Sequence, residues 1–277
     1  MKQARNLIIL LNTALLTLIP VSAWSQSVAL SPGDKYAALG SSFAAGPGID
    51  NQLGSCGRSD NNYSHLVAEA LDLDLTLSAC NGATIDHVAD TPQGDNPLQI
   101  ESVTSDTKLI TVTMGGNDIR YTSSTFACSG TPASERCTAN LDQAAINTAI
   151  EGLPAKLERM YDNLKARAPD ATIVLVAYPR VFPEDAVNCS ELELSPEDTR
   201  FLADMGERLE AAFVESTSGG KALIADAYVR AAGHGPCSTG ERWINGATIA
   251  SSGTRYHPTA EAHQEMARLV LEALGQN

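Results

Sequence analysis

Four residues in this 277-residue chain have the types and the order to carry out chemistry together: Ser42, Gly82, Asn117 and His257. Ser42 closes the run Tyr36-Ala37-Ala38-Leu39-Gly40-Ser41-Ser42. Gly82 lies in Cys80-Asn81-Gly82-Ala83-Thr84, Asn117 in Gly115-Gly116-Asn117-Asp118, and His257 opens His257-Pro258-Thr259. Their common chemistry would be acyl transfer from an ester. A serine hydroxyl is inert at its free pKa and needs a base within hydrogen-bond reach. His257 can take the proton from Ser42 and return it to the leaving alcohol. Attack on the carbonyl creates an oxyanion, for which the Ser42 N–H, the Gly82 N–H and the Asn117 side-chain amide are the donors on offer. Singly, each motif is an ordinary turn or helix cap. The order of all four makes the case, and the scheme calls for no metal or other cofactor.

The elements that must position these residues follow from hydrophobic period. Tyr36–Leu39 reads as a short buried strand breaking into the Gly-Ser-Ser turn. Tyr63, Leu66, Val67, Ala70 and Leu71 recur at helical spacing, with Asp60, Asn61 or Asn62 available as the cap. Leu73–Ala79 alternates like a strand and runs into the Gly82 turn. Lys108–Met114 and Ala171–Ala177 are continuous apolar strands, the first ending at Gly115-Gly116-Asn117-Asp118 and the second at Tyr178-Pro179-Arg180. The Ser- and Thr-rich segment Tyr121–Cys137 reads as a surface excursion stapled on itself. Apolar residues from Ile146 to Leu164 mark a long amphipathic helix with Pro154 at a kink or a new first turn. Ser195-Pro196-Glu197-Asp198 starts a further helix, Leu223–Asp226 a last strand, and Thr259 a C-terminal helix with Met266, Leu269, Val270 and Leu274 inward. Strands alternating with helices over the whole length predict an α/β fold with a parallel sheet covered on both faces, and ligands then bind outside the carboxyl ends of the strands.

The chain begins with Lys2 and Arg5, an apolar run from Leu7 to Ile19, and small residues around Ala23, the layout of a secretory signal peptide. Cleavage after Ala23 or Ser25 fits, giving a leader over residues 1–25 and one domain over 26–277. The apolar run is shorter than the roughly 20 residues of a spanning helix, so no anchor is expected after cleavage. The expected destination is the periplasm or the outside of the cell. A net charge of −14, more negative still without Lys2 and Arg5, disfavours nucleic acid and anionic membranes as partners. A small-molecule ester is the expected partner, met by a monomer. Six cysteines, Cys56, Cys80, Cys128, Cys137, Cys189 and Cys237, favour disulfides in an exported chain, with 15 pairings open and free buried thiols as the alternative. They lack the spacing of a zinc site.

Gly40-Ser41-Ser42, Gly82, Gly115-Gly116-Asn117-Asp118 and His257-Pro258 resemble blocks I, II, III and V of the SGNH (GDSL-type) hydrolases. The resemblance implies a flavodoxin-like three-layer α/β/α sandwich, Ser42 as nucleophile, Gly82 and Asn117 with Ser42 in the oxyanion hole, and His257 as base. Cys56-Gly57-Arg58-Ser59, Asn62-Tyr63 and Asn81-Gly82-Ala83-Thr84 are most similar to the secreted branch typified by the Streptomyces scabies esterase, which includes lipases and phospholipases with three disulfides. Sequential pairing as in that branch implies Cys56–Cys80, Cys128–Cys137 and Cys189–Cys237. Two positions depart from the family pattern. Ser41 stands where the family has Asp, and Thr254 stands where block V has the acid of the triad. That branch implies a Ser42–His257 dyad whose imidazole is held by the carbonyl of Thr254 or Arg255. The expected function is therefore an exported esterase or lipase. A carbohydrate acetylesterase and a catalytically inactive binding relative stay open.

Other ionisable and aromatic residues have plainer expected roles. Asp118 should fix the loop of Asn117, and Asp226 should cap or close a turn. His65 and His263 fall on helices and His87 and His234 in loops. Arg58 is expected to pair with an acid near the nucleophile loop, and Trp243 to lie in the core rather than line an acyl pocket.

Overall fold

The computed structural model describes residues 28–130, 137–183, 185 and 189–276. The predicted leader therefore lies outside the described residues. Five parallel strands form the central sheet: β1 (Lys35–Gly40), β4 (Asp74–Leu77), β5 (Thr107–Thr113), β6 (Thr172–Val176) and β7 (Leu223–Ala225), in the order β4-β1-β5-β6-β7. A two-stranded antiparallel ribbon, β2 (Gln52–Leu53) with β3 (Arg58–Ser59), stands apart in the loop after the Ser42 turn.

The strand sequences explain why both faces are covered. In β1, Ala37 and Leu39 enter one hydrophobic cluster while Tyr36 and Ala38 enter the other. The same period of two sorts Ile173 and Leu175 from Val174 and Val176 in β6. On one face pack α5 (Gln143–Arg167) and α6 (Pro196–Thr217), through Ile150, Leu153, Leu157, Leu202 and Leu209. On the other pack α2 (Tyr63–Leu71) and α8 (Ala260–Ala273), through Val67, Met266 and Val270. This is the three-layer α/β/α sandwich of the flavodoxin-like type. Two polar strand residues on the α2 side are satisfied internally. Thr111 Oγ1 lies 2.7 Å from the Tyr36 hydroxyl, and Thr113 Oγ1 lies 2.9 Å from that of Tyr63.

Caps set the helix starts. Asn62 accepts from the Ser64 and His65 N–H groups at the head of α2, and Ser195 accepts from Asp198 at the head of α6, with Pro196 at the first helical position. Each such cap stabilises its helix by about 1 kcal/mol. Two expectations are corrected. Helix α5 runs unbroken for 25 residues with Pro154 inside it, so Pro154 starts no new helix. The segment after Asn117 is not surface excursion throughout: Tyr121–Cys128 forms α4, whose Tyr121, Ser124, Thr125 and Cys128 are buried, while residues 131–136 lie outside the described part. Its weak apolar period hid a helix anchored by one aromatic ring and one disulfide.

Topology places the site. The chain leaves β1 for β4 on one side, then crosses to β5 on the other, so the strand order reverses at β1 and β5. In an open parallel sheet that reversal opens a crevice at the carboxyl ends. Ser42 follows β1 and Asn117 follows β5.

Candidate active site

Ser42 begins α1, the single turn Ser42–Ala45, directly after β1. The end of β1 is held on both sides: Ser41 N–H donates to the Thr113 carbonyl, while the Gln99 side chain accepts from Gly40 N–H at 2.8 Å and donates to Gly40 O at 3.0 Å. Gln99 carried no signal in the sequence, because an amide that pairs with backbone leaves no motif. The Ser42 turn is thus fixed before any partner arrives.

His257 enters from the loop preceding α8. Its Nε2 lies 2.9 Å from Ser42 Oγ and its Nδ1 lies 2.8 Å from the Arg255 carbonyl oxygen. A carbonyl can only accept, so Nδ1 carries the proton and Nε2 presents its lone pair to the Ser42 hydroxyl. Thr254 is the alternative excluded by geometry, since its carbonyl accepts from the His257 N–H and from Asn245 Nδ2. Burial pushes the His257 pKa below its ordinary value, partly offset by the Arg255 carbonyl. A neutral imidazole beside a serine hydroxyl is the state a general base needs. The ring packs against Phe43, centroids 4.9 Å apart, and faces Phe126 at 6.2 Å.

Gly82 sits at φ 79°, a left-handed conformation that favours glycine. Among the described residues no protein group accepts the N–H of Ser42 or of Gly82. Asn117 Nδ2 donates to the Ala83 carbonyl at 2.9 Å, which uses one of its two N–H bonds and ties it to the residue after Gly82. Asp118 braces the same junction. It accepts from the Ile85 N–H and from Lys156 Nζ, the latter at 2.6 Å, while burial raises its pKa against the pull of Lys156. Cys80 N–H donates to Gly40 O, so all three strand-end loops meet.

Three disulfides, Cys56–Cys80, Cys128–Cys137 and Cys189–Cys237, leave no free cysteine among the described residues. The first ties the loop after Ser42 to the loop carrying Gly82. The grouping of Cys128, Cys137 and Asp198 is no metal centre, because both sulfurs are committed to a disulfide.

The remaining sequence candidates fall elsewhere. Arg58 is a correction: its guanidinium donates to the Ala79 and Ser78 carbonyls at the end of β4, not to an acid. Asp226 caps the short helix α7 (Ala227–Arg230) through the Val229 N–H. His87 is in the one-turn helix α3 (Asp86–Ala89), not a loop, and its Nδ1 accepts from the Thr84 N–H. His234 stacks on Trp243 at 3.8 Å, and Trp243 is only part-buried, so it belongs to neither core nor pocket. His65 shares the Asn62 cap, and His263 is buried between α8 and α2. Tyr178, at the exit of β6, was missed; its position at a parallel strand end was the available signal.

A profile described as the GDSL-like Lipase/Acylhydrolase family matches residues 38–265. The chain is 29% identical over 260 residues to a "Lipase" of Streptomyces rimosus, covering 92% of each chain. It also resembles the crystal structure of an extracellular lipase from that organism, with a TM-score of 0.70, 26% identity, and coverage of 87% of this chain and 100% of the other. An "Esterase" of Streptomyces scabiei is 26% identical, covering 79% of this chain and 78% of that one. The structure of phospholipase A1 from Streptomyces albidoflavus NA297 gives a TM-score of 0.69 at 25% identity, covering 87% of this chain and 98% of that one.

Proposed function

Because the chain belongs to the GDSL-like lipase/acylhydrolase family, we propose that it is an exported serine hydrolase that cleaves carboxylic acyl esters of lipid type through an acyl-enzyme. The observation that carries this reading is the 2.9 Å contact between Ser42 Oγ and a His257 Nε2 whose Nδ1 proton is given to the Arg255 carbonyl. Ser42 attacks the ester carbonyl as Nε2 takes its proton. The oxyanion is met by the Ser42 N–H, the Gly82 N–H and the second Asn117 N–H. The imidazolium then protonates the leaving alcohol, and water repeats the cycle on the acyl-enzyme. A carbonyl in place of a carboxylate orients the ring but gives less stabilisation to the imidazolium, so the dyad leans on its hydrogen bonds.

The lipid-type substrate rests on likeness to proteins described as lipases and a phospholipase A1. Export rests on the leader over residues 1–25, removed to leave 26–277, on the three disulfides, and on likeness to an extracellular lipase. No helix among the described residues is long and apolar enough to cross a membrane. The test is covalent labelling with a fluorophosphonate, run to completion. The parent protein and Ser41→Ala should label and Ser42→Ala should not. An unlabelled parent sinks the reading. Hydrolysis of an acyl-chain series beside an acetylated sugar then decides between lipid and carbohydrate esters.

A further inference from the structure

Behind the proposed machinery, one buried phenol joins two of the loops that carry it. Ser41 Oγ and Tyr178 Oη lie 2.6 Å apart, with Ser41 fully buried and Tyr178 2% exposed. Gly116 lies against the same phenol, close enough that a Cβ there would come within 3.1 Å of Oη. Ser41 precedes Ser42, and Gly116 precedes Asn117. One side chain therefore touches the residue before the nucleophile and the residue before the oxyanion amide.

The ring supports the same junction. Tyr178 lies 4.2 Å from Phe43 between ring centroids and 6.0 Å from Phe213, and Phe43 is the residue that packs on His257. Gly116 leaves room for it, because a Cβ there would come within 2.7 Å of Tyr178 Cε1 and 2.9 Å of Cζ. Burial raises the phenol pKa, so the oxygen keeps its proton and stays a neutral hydroxyl. Ser41 also stands where the resembled family has Asp. A hydroxyl pair here makes the brace without placing a second carboxylate next to the nucleophile.

We propose that Tyr178 is a positioning residue that fixes the Ser42 turn against the Asn117 loop, its hydroxyl bonded to Ser41 and its ring packed on Gly116. This rests on the reading of Ser42, Gly82 and Asn117 as nucleophile and oxyanion donors. Donors aimed at a developing oxyanion act only when their spacing is held, and a displacement of about 1 Å can cost on the order of a hundredfold in rate. The hydroxyl acts through Ser41, behind the reacting atoms. Losing it should loosen transition-state donors and leave substrate binding in place, so kcat falls while KM stays.

The experiment uses the mature protein and compares Tyr178→Phe, Ser41→Ala and the double variant on p-nitrophenyl butyrate, each shown folded by circular dichroism at the assay temperature. Tyr161→Phe is the control, a buried phenol of α5 whose hydroxyl lies 3.3 Å from that of Ser216 in α6. Both single variants should lose about tenfold in kcat with KM within about twofold, and the double variant should lose no more than the worse single, as expected for one coupled unit. Tyr161→Phe should keep the parental kcat. The proposal is overturned if both singles keep kcat within about threefold of the parent, if their losses multiply in the double, or if Tyr161→Phe loses as much. If Tyr178→Phe does not fold, Ser41→Ala decides alone, since it leaves the ring in place. A parent that neither labels with fluorophosphonate nor turns over ester removes the premise along with the proposal; an active parent with an indifferent Tyr178→Phe removes only the positioning role.

Discussion

His257 and His263 lie on one short stretch of chain, one in the loop before α8 and one inside it, and both are buried with lowered pKa values. Their hydrogen bonds make them opposite tautomers. His257 gives its Nδ1 proton to a carbonyl and turns a lone pair on Nε2 toward Ser42. His263 Nδ1 instead accepts the Tyr63 N–H at the first turn of α2, so its proton sits on Nε2, where no partner meets it. Burial alone depresses a histidine; the partner of Nδ1 decides whether the ring becomes a base or a clamp between helices.

The largest expected effect separates the two in activity. His257→Ala should cost on the order of 10^4-fold in kcat/KM with a small change in unfolding midpoint. His263→Gln, which keeps an acceptor for the Tyr63 N–H, should hold kcat within about threefold. Steady-state kinetics on both variants checks this, and similar losses would erase the distinction.

The next effect separates them in stability. Burial, with a smaller push from His257, lowers His263 from 6.5 to about 3. A histidine depressed in the folded state contributes stability above its unfolded pKa and loses it as pH falls toward the folded one. The window therefore runs downward from 6.5, with at most about 5 kcal/mol at stake. Urea midpoints from pH 7 to pH 4 should fall for the parent and fall much less for His263→Gln. An unchanged slope would mean that His263 is not the group that titrates.

Little of this contrast was legible in the sequence. The sheet was, because Tyr36–Leu39, Lys108–Met114 and Ala171–Ala177 are short runs rich in apolar and β-branched residues, each bounded by turn residues, as strands buried on both faces are. That Ser42 and Asn117 follow strands was legible because turn chemistry marks strand ends, whereas the meeting of Ser42 with His257 rested on the order of the motifs. Which carbonyl holds His257 was not, since Thr254 and Arg255 differ only in backbone direction. Gln99 was silent for the same reason, its work being hydrogen bonds to a residue far along the chain, and Tyr178 showed only its place at a strand end. Helix α4 was hidden because Tyr121 and Cys128 anchor it without an apolar stripe.

A third buried group has the opposite sign and isolates the histidine limb. Glu210 is 8% exposed, neither carboxyl oxygen has a hydrogen-bond partner, and burial with the charge of Asp226 raises its pKa from 4.5 to about 8 against the pull of Arg180. An acid raised in the folded state contributes stability below 4.5 and loses it as pH climbs through 8. Glu210→Gln should stabilise by on the order of 2 kcal/mol above pH 8 and hardly at pH 5. Equal stabilisation at both would assign the effect to packing rather than titration.

The smallest effect asks whether His257 truly works without an acid. Asp118 is the buried carboxylate beside the site, adjacent in sequence to Asn117, and its bonds run to the Ile85 N–H and to Lys156, which also meets Asp86 at 2.8 Å. Asp118→Asn keeps an acceptor for Ile85 and removes the attraction to Lys156, so the Asn117 loop should loosen without losing its place. We expect kcat to fall about threefold, with the acidic limb of its pH profile unmoved, because His257 keeps its bond to the Arg255 carbonyl. A triad carboxylate removed in the same way costs on the order of 10^4-fold. A loss on that scale, or a shifted acidic limb, would make Asp118 the missing acid and end the contrast between a carbonyl-held base and a structural histidine.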